Sequence, residues 1–370
     1  MKKVLIMIDS FKSTITSIEA GKMMAEVLNK STIEASYYPV SDGGEGFYDA
    51  IKPHLKLKMV PITITNLDLT KKETLYYIDN KNAYIEVSEY IGFKGFNKGK
   101  NPLTFTSKAI GEIIKDVQKR NIKNIIIGLG GTLTNDFGLG ILEELGVKFF
   151  GSEELKNLTI KDLLKVNKVD ISSLEKYKDL NFIILSDVFN PLFGENGATF
   201  TFGKQKGLKK NELDFVEKSG QHLYDLLISA GLRDTKNVPG AGAAGGLGNI
   251  IASIFNYQIK QGLSYILELA NFDNLVKDYD LIITGEGKID AQSLQGKVVF
   301  EIAKRTEKPV ILVCALSTIT LEEAKKHHQN INEIYAIVPK IANIQESLNN
   351  PKENFMKLCY KVLDMLKYRW

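Results

Sequence analysis

Short apolar runs rich in β-branched residues alternate along this chain with segments of helical periodicity. Each run is three to five residues long and ends in small or polar residues. The runs are Val4–Ile8, Ile125–Ile127, Phe182–Leu185, Leu281–Ile283 and Val310–Val313. Runs of this kind are typical of strands that are buried on both faces of a parallel sheet. Their alternation with helical segments predicts an α/β fold.

Two segments between these runs carry clear helix signals. The sequence Thr16-Ser17-Ile18-Glu19 fits a capping box, in which the threonine and the glutamate satisfy each other's backbone N–H groups. It introduces a predicted helix over Ile18–Leu28, and apolar spacing predicts a second helix over Ser107–Val117.

A different pattern occupies the region from about residue 57 to residue 90. Leu57–Ile64, Thr74–Ile78 and Ala83–Val87 are strand-like runs separated by turn residues. This spacing predicts hairpins, and hence a mixed sheet.

The length of 370 residues suggests two domains. The first βα unit resembles the last ones in its pattern, so both chain ends are expected to share one sheet. We therefore predict a discontinuous domain from residues 1–65 plus 280–370, with residues 66–279 inserted as a second domain.

Composition excludes several classes of protein. The chain is 44% hydrophobic and 25% charged, and it has no apolar stretch of the roughly 18 residues that a membrane helix needs. The net charge of +4 is dispersed, so neither a membrane nor nucleic acid is an expected partner. The run Val4–Ile8 is too short for a signal peptide, which predicts a cytoplasmic protein.

Metal and disulfide frameworks are also disfavoured. The chain has two cysteines, Cys314 and Cys359, and its four histidines show no ligand spacing with them. Neither a disulfide framework nor a four-ligand zinc site can be built from this set.

Polar residues follow the predicted strands in a consistent way. In open α/β sheets ligands bind beyond the carboxyl ends of the strands, so these residues are the first candidates for a site. They are Asp9-Ser10-Phe11-Lys12, Gly128 to Asp136, Ser186-Asp187 and Thr284 to Asp290.

Glycines and carboxylates occur together in these loops and in Ser41-Asp42-Gly43-Gly44-Glu45-Gly46. Glycine lets backbone N–H groups approach a phosphate closely, whereas a carboxylate repels it. A divalent cation that bridges carboxylate and phosphate oxygens removes this conflict. The loops therefore favour a nucleotide bound with Mg²⁺.

The longest glycine-rich run, Gly240–Gly248, contains a G-x-G-x-x-G match. A dinucleotide site requires a strand directly before such a match, but residues 232–239 are polar and end in a proline. Phosphate binding and close packing of the following helix, Asn249–Phe255, both stay open for this run. The chain has no G-x-x-x-x-G-K-[S/T] sequence and no protein-kinase signature set.

Three lysines lie near these loops, Lys12, Lys206 and Lys297. Lys206 is the best candidate for a site because glycines flank it in Gly203-Lys204-Gln205-Lys206-Gly207.

Eight separated motifs, taken in order, resemble the bacterial glycerate kinase family almost from end to end. They are Asp9–Lys12, Ser41–Gly46, Asn101–Leu103, Gly130–Asp136, Asp187–Leu192, Gly203–Gly207, Gly240–Gly248 and Thr284–Asp290. The resemblance implies transfer of the γ-phosphoryl group of ATP to a hydroxyl of D-glycerate, with Mg²⁺, in a cleft between two α/β domains. It also implies that the domain made from both chain ends is doubly wound, of the Rossmann or flavodoxin type.

The resemblance carries specific roles to residues of this chain. Asp187 would accept the substrate hydroxyl proton or hold the metal, while Lys12 and Lys206 would hold the substrate carboxylate or the transferring phosphoryl group. Asp42 and Glu45 are further candidates for the metal. The expected substrate contacts are Asp9, Ser10, Asp42, Asn135, Asp136 and Asn190. The expected nucleotide contacts are Gly240, Gly242, Gly245, Gly246, Gly285, Glu286 and Asp290.

The chain departs from the family pattern at three places. Ser13 stands where the family often has glycine, Phe189 where an aspartate is common, and Ala315-Leu316 where a glycine is usual. The aspartate missing at Phe189 removes one candidate metal ligand, which raises the importance of Asp187.

Two alternatives stay open. An NAD-dependent dehydrogenase for small hydroxy acids would share the substrate class and the glycine-rich loops, and a nucleotide-binding regulator could retain the fold without turnover. The sequence also leaves open whether the 2- or the 3-hydroxyl is phosphorylated and whether the protein is a monomer or a homodimer.

Overall fold

The structure, a computed structural model, describes residues 2–11, 14–93, 101–295 and 297–369. Its strands are β1 Lys2–Ile8, β2 Ile33–Tyr37, β3 Lys58–Thr65, β4 Lys71–Ile78, β5 Asn82–Glu86, β6 Asn124–Gly128, β7 Lys148–Phe150, β8 Glu154–Leu155, β9 Lys168–Asp170, β10 Asn181–Leu185, β11 Asn256–Lys260, β12 Leu281–Ile289, β13 Val310–Ser317 and β14 Ile331–Val338. Its α-helices are α1 Ser17–Leu28, α2 Phe47–Ile51, α3 Ser88–Ile91, α4 Lys108–Lys119, α5 Leu139–Glu144, α6 Ala198–Phe202, α7 Leu213–Ser229, α8 Leu247–Ile254, α9 Gly262–Leu269, α10 Phe272–Leu275, α11 Val298–Lys304, α12 Leu321–His327, α13 Ile344–Asn349 and α14 Pro351–Arg369.

The chain divides into two compact units. The first unit contains Met1–Asp42, Gly46–Leu55 and Gly262–Trp370, and the second contains Gly43–Glu45 and Lys56–Gln261. These limits differ from the predicted ones in three segments, Gly43–Glu45, 56–65 and 262–279. Strand β3 pairs antiparallel with β4 and so belongs to the second unit. Helix α9 packs Leu263 and Leu267 into the core of the first unit.

The first unit is built on a five-stranded sheet in the order β14-β13-β12-β1-β2. Every neighbouring pair in it is parallel. Side chains of β1 alternate between two cores: Val4, Ile6 and Ile8 pack on the side of α1 and α14, and Leu5 and Met7 pack on the side of α9 and α11. Helices on both faces make this a doubly wound sheet, as predicted.

Helix α1 begins where the capping box was predicted. The Thr16 hydroxyl accepts from the backbone N–H of Glu19 at 3.2 Å, and the Glu19 carboxylate accepts from the backbone N–H of Thr16 at 3.0 Å. A capping residue of this kind stabilises a helix by about 1 kcal/mol.

The second unit contains a six-stranded sheet in the order β11-β10-β6-β5-β4-β3. Strands β5, β6, β10 and β11 run parallel, whereas β3 and β4 form an antiparallel hairpin and β4 pairs antiparallel with β5. A small antiparallel sheet has the order β8-β7-β9. The predicted mixed sheet is confirmed, and with it the α/β fold class.

Helix α4 packs against β3 and α5. Its apolar residues Ile110, Ile113, Ile114 and Val117 are fully buried. Within the described residues, no helix combines the length and apolar character required to cross a membrane.

Candidate active site

Asp9 and Ser10 lie at the carboxyl end of β1, as predicted. The backbone N–H of Asp9 donates to the carbonyl of Gly285 at 2.8 Å, which ties this turn to β12. The Asp9 carboxylate accepts from the backbone N–H of Ser10 at 2.7 Å and is largely buried. Lys12, predicted to be catalytic, lies outside the described residues, as does Ser13.

The segment from Thr284 was expected to be a loop, and this expectation is wrong. Strand β12 continues to Ile289, so Gly285 and Glu286 are paired with β13. A Cβ on Gly285 would lie 2.2 Å from the carbonyl oxygen of Val313, so glycine here allows the two backbones to approach. The strand runs further than its apolar core because this pairing extends through residues that are polar in sequence.

Glu286 and Asp290 have different surroundings on the first unit. Glu286 is buried beside Cys314 of β13, and its charge adds to burial in raising the pKa of that thiol to about 12. Asp290 is near the surface, where Lys288 and the backbone N–H groups of Gln292 and Ser293 lower the pKa of its carboxyl group. Asp290 therefore stabilises the turn after β12.

The loop from Ser41 to Gly46 connects the two units in sequence. Asp42 groups with the first unit and Glu45 with the second. Asp42 is half-buried, whereas Glu45 is exposed.

The carboxyl ends of four parallel strands lie at one edge of the sheet in the second unit. Glu86, Gly128, Leu185 and Lys260 occupy equivalent register positions at this edge. Asp187 follows two residues after Leu185 and is half-buried.

Glu86 was missed by the sequence analysis. It is the last residue of β5, is only 2% exposed, and accepts a hydrogen bond from the Ser88 hydroxyl at 2.9 Å. The rule that identified Asp187, a polar residue at the end of an apolar parallel run, applies to Ala83–Ile85 as well. The turn residues that separate the runs of this region indicate hairpins, and hairpins alone do not point to a site at Glu86.

Lys206 is a buried cation in the second unit. The residue is only 5% exposed. Its ammonium donates to the backbone carbonyl of Thr134 at 2.7 Å and to the Thr132 hydroxyl at 3.1 Å. Burial lowers the pKa of Lys206 to about 7, against an opposing effect of the negative charge of Asp136. A lysine held this way is positioned to meet an anion, because burial without a full counter-charge leaves its positive charge poorly compensated.

Two unsatisfied polar atoms lie in the segment that Lys206 contacts. Asn135 is 7% exposed and donates through Nδ2 to the Thr199 hydroxyl at 3.2 Å, while its Oδ1 has no hydrogen-bond partner among the described residues. The same is true of the hydroxyl oxygen of the fully buried Thr134. Buried polar atoms are nearly always paired, so each orphaned atom requires an explanation such as a ligand or water.

Asp136 has a different environment from the one expected of a substrate contact. Its buried carboxylate accepts from the backbone N–H and the hydroxyl of Ser107, both at 2.8 Å, and from the backbone N–H groups of Gly138 at 3.1 Å and Gly140 at 3.2 Å. Burial raises the pKa of this carboxyl group, and the four hydrogen bonds oppose the rise. These bonds connect the starts of α4 and α5.

Asn190 also makes internal contacts. Its side-chain amide donates to the backbone carbonyl of Asn196 at 2.8 Å, and its backbone carbonyl accepts from the backbone N–H of Gly242 at 3.0 Å. The neighbouring Phe189 is 59% exposed.

The glycine-rich run packs against the protein itself. Every residue from Gly240 to Gly248 is buried, including the predicted nucleotide contacts Gly242 and Gly246. Gly245 adopts a φ of +69°, and a Cβ there would lie 2.1 Å from the carbonyl oxygen of Thr134. Close packing thus accounts for glycine at this position. Residues 232–239 form no strand, as expected from their polar sequence.

Across the described ranges, no three histidine, cysteine, aspartate or glutamate side chains are grouped closely enough to hold a metal ion by themselves.

Comparison with known proteins gives a consistent answer over the whole length. The sequence profile of the glycerate kinase family matches residues 4–367. A glycerate kinase from Neisseria meningitidis serogroup B is 34% identical, with 94% of each chain covered. A glycerate 2-kinase from Escherichia coli K12 is 31% identical over 96% of this chain and 95% of its own.

A solved structure agrees with these sequence relatives. The crystal structure of a Salmonella typhimurium LT2 protein, provisionally assigned as glycerate kinase 2, superimposes with a TM-score of 0.77 at 26% identity. The match covers 99% of this chain and 98% of that protein. The profile match and the relatives above 30% identity together establish the family. The chain belongs to the glycerate kinase family, whose members are phosphotransferases.

Proposed function

We propose that this protein transfers the γ-phosphoryl group of ATP to the 2-hydroxyl of D-glycerate, giving 2-phosphoglycerate and ADP. The observation that carries the proposal is the buried Lys206 ammonium, which donates to the backbone carbonyl of Thr134 in the segment that carries the unsatisfied side-chain oxygens of Thr134 and Asn135. A cation beside hydroxyl-binding groups suits a small hydroxy acid. The Escherichia coli relative, named as a glycerate 2-kinase, supports the choice of the 2-hydroxyl.

The proposed roles in the second unit follow from these surroundings. Lys206 binds the substrate carboxylate or the transferring phosphoryl group, and Asn135 contacts a substrate hydroxyl. Asp187, at the carboxyl end of β10, accepts the proton of the attacking hydroxyl as the bond between the γ-phosphorus and the ADP oxygen breaks. Phosphoryl transfer demands mainly alignment and charge neutralisation from the protein, which these groups supply. Asn190 is kept as a proposed contact, whereas Asp136 is assigned the support of the segment beside it.

In the first unit, we propose that Asp9 and Ser10 contact the substrate. From the sequence alone, Lys12 is proposed to hold the substrate carboxylate or the transferring phosphoryl group. Glu286 and Asp290 are proposed to line the nucleotide side together with Gly285. The buried glycines Gly240, Gly242, Gly245 and Gly246 are proposed to contribute to nucleotide binding by shaping the backbone around them.

Mg²⁺ is the proposed metal, carried by the nucleotide. Such an ion is held by one or two carboxylates, with phosphate oxygens and water completing its coordination, so it does not need a three-carboxylate cluster. Asp187, Asp42 and Glu45 are the candidates that we propose for these one or two carboxylates. When bound, the ion neutralises charge that develops on the phosphate oxygens.

The proposal is tested by measuring ADP release from ATP and Mg²⁺ in the presence of D-glycerate, L-glycerate or glycolate. We expect ADP release with D-glycerate and no absorbance change with NAD(H). Hydride transfer to or from NAD(H) would instead support the dehydrogenase. Tight ATP binding without ADP release in the presence of any of these acids would support a regulator.

A further inference from the structure

The turn that carries Lys206, directly after α6, closes in a Schellman motif. The backbone N–H of Leu208 donates to the carbonyl of Gly203 at 3.0 Å, and that of Gly207 donates to the carbonyl of Lys204 at 3.1 Å. These two bonds enclose Lys206, and they require a residue in the left-handed region directly after it. Gly207 supplies that conformation, with a φ of +96°.

Gly207 also packs against a second motif of the sequence. A Cβ on Gly207 would lie 3.1 Å from Cγ of Pro102, which is closer than such atoms normally approach. Pro102 belongs to a short turn that Asn101 holds, because the Asn101 side-chain oxygen accepts from the backbone N–H of Leu103 at 3.0 Å. The Asn101–Leu103 motif, to which the proposed function gives no role, is thus packed against the turn after α6.

This packing determines where the Lys206 ammonium lies. The ammonium donates to the backbone carbonyl of Thr134 at 2.7 Å and to the Thr132 hydroxyl at 3.1 Å. A side chain is directed by its own backbone, so a shift of the turn by a few tenths of an ångström changes both contacts. A Cβ at position 207 forces such a shift, because it meets Pro102 and because a side chain is strained at this φ.

We infer that Gly207, packed against Pro102, is a positioning residue for Lys206, and that the Asn101–Leu103 motif serves the reaction through this contact. The inference rests on the proposed function, in which Lys206 binds the substrate carboxylate or the transferring phosphoryl group. It adds two residues to the site, Gly207 and Pro102, that act by placing a charge and touch neither the substrate nor the nucleotide.

Gly207→Ala tests the inference, and the chain provides two matched controls. Helices α5 and α7 also end in Schellman motifs, with Gly146 at a φ of +90° and Gly231 at a φ of +105°. A Cβ on Gly146 would lie 3.2 Å from Cβ of Ser173, which is close to the crowding at Gly207. Around a Cβ on Gly231, the described residues place no atom within 4 Å. Gly146→Ala therefore matches both the strain and the crowding of Gly207→Ala, and Gly231→Ala matches the strain alone.

All three alanine variants should have a Tm lower by a few degrees, because alanine is strained at a positive φ. We expect Gly207→Ala to lower kcat/KM for D-glycerate about tenfold, the effect of a displaced binding group. Gly146→Ala and Gly231→Ala should keep the kcat/KM of wild type.

A double-mutant cycle separates positioning from a general loss of structure. If Gly207 acts through Lys206, Gly207→Ala causes no further fall in kcat/KM in a Lys206→Met background. Additive losses would show that Gly207 acts on the enzyme in another way.

The pH profile of kcat/KM supplies a second readout, because it reports the ionisation of the free enzyme. Lys206 in a displaced turn is less buried and keeps its proton to a higher pH. The alkaline fall of kcat/KM should therefore move to higher pH in Gly207→Ala and stay in place in Gly146→Ala. Should Gly207→Ala fail to fold, Pro102→Ala removes the other half of the contact, and the same changes in kcat/KM and in the pH profile are expected.

Equal losses of kcat/KM in Gly207→Ala and Gly146→Ala, additive losses in the cycle, or a wild-type kcat/KM and pH profile in Gly207→Ala would overturn the inference. Failure of the proposed function is distinguishable, because the wild-type protein would then release no ADP with D-glycerate.

Discussion

The ammonium of Lys206 donates a hydrogen bond to the backbone carbonyl of Thr134 at 2.7 Å, inside the second unit. The contact fixes a buried cation to the segment that also carries Asn135 and Asp136. Burial of this cation is unfavourable because the charge loses its contact with water. The binding of an anionic ligand offsets this free-energy cost.

Replacing Lys206 with methionine tests its role directly. Methionine keeps the side-chain length but removes the charge, so we expect kcat/KM for D-glycerate to fall about a hundredfold or more. Thermal stability should be unchanged or higher, because a costly buried charge is gone. Lys204→Met, at an exposed position two residues earlier, is the matched control and should retain activity. An active Lys206→Met enzyme would exclude the assigned role.

The lowered pKa of Lys206 also predicts that the stability of the protein depends on pH. Its pKa in the folded protein is lowered from 10.5 to about 7, so between these values the unfolded chain binds a proton that the folded chain has lost. The contribution of this residue to the free energy of unfolding therefore increases as pH rises through that window.

Urea unfolding of wild type and Lys206→Met at about pH 7 and about pH 9 measures this effect. Wild type should gain roughly 2 kcal/mol relative to the variant between these pH values. A constant difference between the two proteins would contradict the lowered pKa.

Asp187→Asn should lower kcat by about two to four orders of magnitude, because asparagine cannot accept the hydroxyl proton. The fold should be intact, as checked by circular dichroism and thermal unfolding. Asp179→Asn is the matched control, since Asp179 is exposed just before β10 begins. Turnover of Asp187→Asn close to that of wild type would rule out proton acceptance by Asp187.

Asp136→Ala distinguishes support of the fold from substrate contact. The substitution leaves four buried donors of Ser107, Gly138 and Gly140 without their acceptor. We expect the free energy of unfolding to fall by about 3 kcal/mol or more, measured by urea denaturation. A variant as stable as wild type but unable to bind D-glycerate would show instead that Asp136 is a substrate ligand.

The sheets were predictable because apolar periodicity responds directly to burial. The runs from Val4 and Phe182 became β1 and β10, and the polar residues that follow them lie at the expected ends. The extent of β12 was not predictable in this way. Its last residues pair through the backbone, and Gly285 is explained only by the approach of Val313, which is distant in sequence.

In the candidate site, too, some features were predictable from the sequence and others were not. The glycines around Lys206 pointed to a special position, but the partners Thr132 and Thr134 lie more than seventy residues away in sequence. Asp136 was predicted to contact the substrate. Its internal hydrogen bonds to Ser107 could not be predicted, because they depend on long-range packing. Thr199 carries no sequence signal at all, since its hydrogen bond with Asn135 exists only in the folded chain.

Identification of the product shows which bond the protein forms. Purified protein is incubated with ATP, Mg²⁺ and D-glycerate, and the product is assigned by phosphorus-31 and proton NMR from the carbon that bears the phosphate. We predict 2-phosphoglycerate together with an equal amount of ADP. Formation of 3-phosphoglycerate would contradict the assigned hydroxyl, and the absence of any phosphorylated acid would contradict the proposed activity itself.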